Sequence, residues 1–72
     1  MDALLFEELI AANKRFRIET ASGRVFDVPH RGFVSFSRRK TSLLINYEED
    51  GKERFAIVPL LTMTAALTDA AQ

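Results

Sequence analysis

Residues 15–29 read RFRIETASGRVFDVP, and they decide the fold class of this chain. From Phe16 onward apolar and charged residues alternate, and the alternation resumes at Phe26 after a loop that contains Gly23. A period of two is typical of a half-buried strand, and glycine supplies the positive φ that a tight hairpin needs. The stretch therefore predicts a β-hairpin, which Pro29 ends because it lacks an amide hydrogen.

Three further segments have the composition of strands, at residues 33–37, 41–47 and 53–58. The middle segment, TSLLINY, is apolar on both faces, which indicates a central or an intersubunit position. The Asp50-Gly51 pair that follows it is a strong hairpin signal. Residues 60–67, LLTMTAAL, fit either a short last strand or a helical turn, and we favour the strand.

An N-terminal helix is predicted over residues 3–12. Asp2 has the side chain of an N-cap, and Asn13 tolerates the left-handed conformation that commonly ends a helix. An apolar stripe runs along the helix at helical spacing and consists of Leu5, Phe6, Leu9 and Ile10. The stripe either docks against the sheet or is offered to another protein.

The predicted fold is mainly β with an N-terminal α-helix, arranged as a small five-stranded antiparallel bent sheet or barrel. It forms one domain, with the helix at about residues 3–12, the sheet at about residues 15–67 and a frayed tail at residues 68–72. A closed barrel has no unpaired edge. An open sheet of so short a chain favours pairing with a neighbouring subunit, so we expect a homo-oligomer.

Composition excludes several kinds of chemistry. The 72 residues include ten basic and ten acidic side chains, so no global positive field attracts nucleic acid or anionic membrane. The absence of cysteine removes disulfides and thiolate metal sites, and a single histidine removes histidine clusters. We expect no cofactor, no membrane partner, no small-molecule substrate and no enzymatic activity. An acidic N-terminal segment without a basic leader leads us to expect a cytoplasmic protein.

The order of short motifs resembles a group of small bacterial proteins of the kind that planctomycetes encode in several copies. The matching elements are Leu4-Leu5, residues 15–20, Ser22-Gly23-Arg24, Val28-Pro29-His30 and Val58-Pro59-Leu60-Leu61. The chain departs from that pattern at Arg31-Gly32, where a proline is common. The group carries no assigned activity, so the resemblance implies a helix-plus-sheet fold and no mechanism.

More distantly, the chain resembles Sm-like proteins, the family that includes the Hfq-type RNA chaperones. The resemblance consists of an N-terminal helix, a strongly bent sheet and a glycine near the first hairpin, which Gly23 matches. The RNA-binding motifs of that family do not carry over. Residues 58–63 read VPLLTM, without a stacking ring or a cation, and residues 31–37 lack the Asp-x-x-x-Asn signature. Fold similarity without the site does not transfer function.

The strongest nucleic-acid candidates are four basic residues near Phe33 and Phe36: Arg31, Arg38, Arg39 and Lys40. Arginine can engage phosphate through two hydrogen bonds, and an exposed phenylalanine can stack on a base. The alternative is a solvated loop whose neighbouring rings lie in the core. The leading interpretation is a non-enzymatic interaction or structural module that associates with itself, and an Sm-like RNA-binding protein is the alternative function.

Four apolar residues late in the chain are candidates for an oligomer interface: Leu60, Leu61, Met63 and Leu67. They offer more apolar area than one strand buries on a single face, although packing in the core would also explain them. Two weaker sites are the Asp27 and His30 pair, as a general base, and the acidic turn at residues 48–50, as a cation site. Neither has the companion groups that catalysis or calcium binding requires.

Overall fold

The computed structural model describes residues 1–69 and is mainly β. One helix, α1 (Ala3–Ala11), precedes six strands, which are β1 (Phe16–Thr20), β2 (Val25–Val28), β3 (Val34–Phe36), β4 (Ser42–Glu49), β5 (Lys52–Pro59) and β6 (Met63–Thr68). Two short 3-10 turns, Arg31–Phe33 and Leu60–Thr62, precede β3 and β6. The helix begins at Asp2, whose carboxylate accepts a hydrogen bond from the Leu4 amide at 3.1 Å, and Asn13 follows it with a φ of 54°.

The strands form two separate antiparallel sheets of three strands each, in the orders β2-β1-β6 and β3-β4-β5. The predicted five-stranded sheet or barrel is therefore wrong in strand number and in closure. The physical reason is that two breaks interrupt the chain. Pro29 and the 3-10 turn Arg31–Phe33 separate β2 from β3, and Pro59 with the 3-10 turn Leu60–Thr62 separates β5 from β6. Each break carries the chain from one sheet to the other.

Two turns have the backbone conformations that their sequences predict. Gly23, with a φ of 86°, closes the loop between β1 and β2, and its amide donates to the Thr20 carbonyl at 2.9 Å. Asp50 and Gly51 both have positive φ, at 54° and 73°, as a two-residue turn between β4 and β5 requires. These turns fix the register of both hairpins, so the faces of the strands are set before any packing is considered.

The core lies between the two sheets and under α1. It consists of Phe6 from the helix, Leu60 from the second 3-10 turn and apolar side chains of the six strands: Phe16, Ile18, Phe26, Val28, Val34, Leu43, Ile45, Val58 and Met63. The predicted alternation of β1 and β2 is confirmed, and β4 occupies the predicted central position. The helix docks on the sheets through Phe6, with Leu9 and Ile10 packed beside it.

The end of the chain differs from its prediction in one respect. Residues 60–67 contain both of the structures weighed for them, because a 3-10 turn at Leu60–Thr62 leads into the strand β6. That strand extends to Thr68, which the sequence assigns to the tail. The rest of the predicted frayed tail, at residues 70–72, lies outside the described residues.

Candidate interaction surface

Strand β5 lies at an edge of its sheet, since it pairs with β4 on one side only in the part of the chain that the structure describes. The Leu60 amide donates to the Thr41 carbonyl at 3.0 Å, in line with the register of the two strands. Backbone groups of alternate residues point to opposite sides of a strand. Those of Glu53, Phe55 and Ile57 consequently point away from β4, and they form a row of open donors and acceptors.

An apolar stripe follows the outer face of β5 and continues into the 3-10 turn. We call the side chains of Phe55, Ile57, Pro59 and Leu61 the outer stripe. Phe55 is 58% exposed, Ile57 64% and Leu61 95%. Pro59 makes the stripe continuous from the strand to the turn, since it lines one shallow depression together with Ile57 and another together with Leu61. The opposite face is covered toward the end of the strand, where Ala56 is half-buried and Val58 is buried in the core.

The outer stripe exposes a large apolar area for so small a protein. Taking roughly 180 Å² for each whole side chain, Phe55, Ile57 and Leu61 expose on the order of 400 Å² together. The largest contiguous apolar patch of a typical soluble monomer is of this size, roughly 300–600 Å², and it is often functional. Residues 55–61, FAIVPLL, are apolar on both faces, as in a strand covered on both sides. The chain itself covers only one of these faces.

A second cluster spans the gap between β2 and β4 and is centred on Arg24. The guanidinium carbon of Arg24 lies 4.8 Å from the centroid of the Phe26 ring and 5.2 Å from that of Tyr47. Arg24 also donates a hydrogen bond from Nη2 to the Tyr47 hydroxyl at 2.9 Å. The shallow groove beside it, of about 560 Å³, carries Asp27 and Glu48 on its walls. Arg24 therefore links the two sheets, and its charge is engaged within the chain.

The four predicted nucleic-acid residues do not form one patch. Arg38, Arg39 and Lys40 share the turn between β3 and β4, whereas Arg31 begins the 3-10 turn at the other end of β3. Lys40 is engaged elsewhere, because its Nζ lies 2.9 Å from the Glu7 carboxylate of α1. The nearby rings are half-buried against the core, with Phe36 lying 5.9 Å from the Lys40 ammonium. Only Arg38 and Arg39 remain as adjacent exposed cations of this set.

The two weaker sites are not assembled. His30 is exposed, its Nδ1 accepts from the Gly32 amide at 3.0 Å, and its ring packs edge-on against Phe33 at 4.8 Å. The Asp27 carboxylate instead pairs with Arg15 at 3.0 Å. Within residues 1–69 no three histidine, cysteine or acidic side chains lie in a metal-binding arrangement. This includes the acidic turn at residues 48–50.

The four predicted interface residues divide into two buried and two exposed positions. Leu60 and Met63 belong to the core of the chain itself, where they offer no surface to a partner. Leu61 is exposed on the 3-10 turn, and Leu67 is exposed on β6 opposite Arg17. Sequence reasoning missed Phe55 and Ile57. The signal that could have identified them is the apolar character of both faces of β5 directly after a polar hairpin.

Comparison of the chain with protein-family models, with curated proteins and with solved structures finds no match. The resemblances to planctomycete-type and to Sm-like proteins consequently stay predictions. The only helix among the described residues is α1, which is too short to cross a bilayer. The surface therefore has to be interpreted from its own geometry, in which the open edge and the outer stripe coincide on β5.

Proposed function

We propose that the protein is a non-enzymatic interaction or structural module that associates with a second copy of itself through β5. The observation that carries the proposal is the coincidence of an open strand edge with the exposed side chains of Phe55, Ile57 and Leu61. Edge strands are usually guarded by charges, prolines or bulges. Here Lys52 and Pro59 stand at the two ends of β5, and the segment between them has an apolar outer face from Phe55 onward.

A second copy suits this surface for three reasons. An unpaired strand is complementary to another copy of itself, because both present alternating donors and acceptors. The charges beside the stripe are of both signs, at Lys52, Glu53 and Arg54, so two copies do not repel each other strongly. The stripe exposes on the order of 400 Å² on each copy, and edge-to-edge pairing covers the flanks of its side chains against their counterparts, a contact smaller than the roughly 800 Å² per partner of a standard interface. The hydrogen bonds of the strand backbone add to this contact.

Small size supports the same proposal. A chain of 72 residues buries only about 60% of the surface that its unfolded form exposes, so its free energy of unfolding is small. Association removes further apolar surface from water and stabilises the folded chain by mass action. Binding to a partner would therefore raise the free energy of unfolding of this chain.

Replacing Ile57 with lysine should weaken self-association at least thirtyfold, which corresponds to about 2 kcal/mol. The lysine removes an exposed apolar side chain from the centre of β5, and with it the lateral contact with an apolar side chain of the second copy. Sedimentation velocity over a range of concentrations measures the dissociation constant of each variant.

The matched control is Val25→Lys, which changes an apolar strand residue that is 50% exposed on β2. This variant should associate as the wild type does. A dissociation constant of 1 mM corresponds to a binding free energy of only about 4 kcal/mol. A wild-type chain that remains monomeric up to about 1 mM would therefore contradict the proposal. Equal weakening by Val25→Lys and Ile57→Lys would place the contact elsewhere.

The alternative function is RNA binding by an Sm-like fold through Arg31 and the basic turn of Arg38, Arg39 and Lys40. One observation supports it: Arg38 and Arg39 are exposed and, within residues 1–69, neither forms an ion pair with a carboxylate. Two or three local charges give a weak and salt-sensitive contact, in the range of roughly 10⁻⁴ to 10⁻⁶ M.

If that function is right, changing both Arg38 and Arg39 to glutamine should lower the affinity for short single-stranded RNA about tenfold at low salt. Filter binding at low and at moderate salt measures this change, because each lost phosphate contact also reduces the salt dependence. Changing Lys14 and Lys52 together to glutamine, both at exposed positions, removes the same number of charges and controls for net charge. Absence of binding by the wild type at both salt concentrations would end the RNA hypothesis.

A further inference from the structure

We infer that two copies pair β5 with β5 in antiparallel fashion about a two-fold axis at Ala56, which joins their three-stranded sheets into one continuous sheet. This inference rests on the proposed self-association and specifies its geometry. When the same edge of β5 is used by both copies about a two-fold axis, the two strands must run antiparallel to form a complete ladder. The two-fold axis then stands perpendicular to the sheet, so both outer stripes lie on the same face.

The open edge restricts the register of such a pair. The outward backbone groups belong to Glu53, Phe55 and Ile57, so these residues must occupy the hydrogen-bonded positions of the new ladder. Residues with inward side chains then occupy the positions between them. A register that sets an outward residue opposite an inward one would break the ladder and turn one stripe to the other face. The axis must therefore pass through a residue of β5 and cannot fall between two residues.

Side-chain pairing selects among the remaining registers. An axis at Arg54 sets two guanidinium groups directly opposite each other, which is unfavourable. An axis at Phe55 sets Ile57 of each copy against the charged Glu53 of the other. An axis at Ile57 sets Phe55 of each copy against Pro59 of the other at a hydrogen-bonded position, and proline lacks the amide hydrogen that this position needs. An axis at Ala56 instead sets Phe55 of each copy against Ile57 of the other, a pair of aromatic and β-branched residues that stabilises sheets.

The small side chain at the axis agrees with this choice. With the axis at Ala56, the two alanines form a pair that is not hydrogen-bonded, where opposite Cα atoms approach to about 4.5 Å. Alanine leaves room for that approach, and Ala56 is only half-buried in the single chain. At the end of the ladder the Glu53 amide meets the Pro59 carbonyl of the second copy. Pro59 lacks a donor of its own, so the ladder ends there.

Single-cysteine variants test this geometry directly, because the natural chain contains no cysteine. Ala56→Cys should form a disulfide-linked dimer under mild oxidation, since a Cα separation near 4.5 Å lies within the disulfide range of about 4.4–6.8 Å. Arg54→Cys is the matched control on the same face of the strand. It should cross-link at least tenfold more slowly, because its two copies lie well apart in this register. Non-reducing electrophoresis follows both reactions.

The outcomes separate the geometry from the association itself. Self-association without a disulfide in Ala56→Cys would overturn the two-fold pairing and leave the proposed function intact, with a head-to-tail contact of β5 and β6 as the alternative. If Phe55→Cys forms its homodimeric disulfide faster than Ala56→Cys does, the two-fold axis lies at Phe55 and the inferred register is wrong. A wild-type chain that sediments only as a monomer would remove the proposed function itself.

A second pair of variants covers the case in which Ala56→Cys disturbs folding. In an equimolar mixture of Phe55→Cys and Ile57→Cys, the inferred register sets the two different cysteines opposite each other. The mixed disulfide should then form at least tenfold faster than either homodimeric disulfide. Mass spectrometry distinguishes the three products, and a merely statistical mixture would contradict the inference.

Discussion

Replacing Phe16 with alanine is expected to lower the free energy of unfolding by about 3–5 kcal/mol. Phe16 is 1% exposed and lies on β1, the central strand of its sheet, between Val28 and Thr68. Its ring packs against Phe6 of α1, with ring centroids 5.9 Å apart. The substitution therefore removes an aromatic contact between the helix and the sheet and leaves a cavity at the same place.

The expected loss is large relative to the whole protein. At roughly 0.05–0.15 kcal/mol per residue, a chain of 72 residues has a free energy of unfolding of about 4–11 kcal/mol. Phe16→Ala should consequently remove between about a quarter and all of this free energy. Urea denaturation followed by circular dichroism measures the change, through the midpoint and the slope of the transition.

Phe55→Ala is the matched control, because it makes the same chemical change on an exposed side chain. Measured at a concentration where the chain is monomeric, it should cost less than about 1 kcal/mol. Similar losses in Phe16→Ala and Phe55→Ala would mean that the core does not lie where the structure has it. Comparing the two variants also separates core packing from the interface, since Phe55→Ala alone should weaken association.

Local sequence determined the elements that local physics controls. The hairpin of β1 and β2 follows from strict alternation and from Gly23, the only residue type that enters positive φ without a steric cost. The ends of α1 follow from the N-cap side chain of Asp2 and from the left-handed backbone conformation of Asn13, which are local preferences. Asp50-Gly51 determined the second hairpin in the same way. These features were predictable because each depends on a few neighbouring residues.

The division into two sheets was not predictable in the same way. Pro29 and Pro59 signal the ends of strands, yet whether the chain then continues the same sheet or crosses to another depends on packing between distant elements. The 3-10 turns at Arg31–Phe33 and Leu60–Thr62 have no sequence signal comparable to a glycine at positive φ. Tertiary packing therefore decided the strand order, and the predicted single bent sheet was wrong.

The residues of the interaction surface were also not predictable from local sequence. Leu60 and Leu61 are adjacent and chemically identical, yet one is buried in the core and the other is almost fully exposed. Only the three-dimensional path of the turn distinguishes them. Phe55 and Ile57 were missed because a strand becomes an edge strand only through the order of strands in the sheet. The apolar composition of the last third of the chain was visible, but the assignment of residues to faces was not.

The midpoint of thermal unfolding of the wild type is expected to rise by about 3–6 °C for each tenfold increase in protein concentration. If the folded chain is a dimer, a tenfold increase stabilises it by about 1.4 kcal/mol per dimer, or about 0.7 kcal/mol per chain. For a domain of 60–100 residues, each kcal/mol shifts the midpoint by about 4–8 °C. Differential scanning fluorimetry or circular dichroism over a hundredfold range of concentration measures this dependence.

At concentrations below its own dissociation constant, Ile57→Lys should lose the dependence on concentration, with midpoints that agree within about 1 °C, because its unfolding then involves a single chain. Val25→Lys should keep the wild-type slope, even if its absolute midpoint shifts. A midpoint of the wild type that does not depend on concentration would contradict self-association of the folded state. A slope that persists in Ile57→Lys would mean that the copies meet through another surface, for which exposed Leu67 on β6 is the first residue to test.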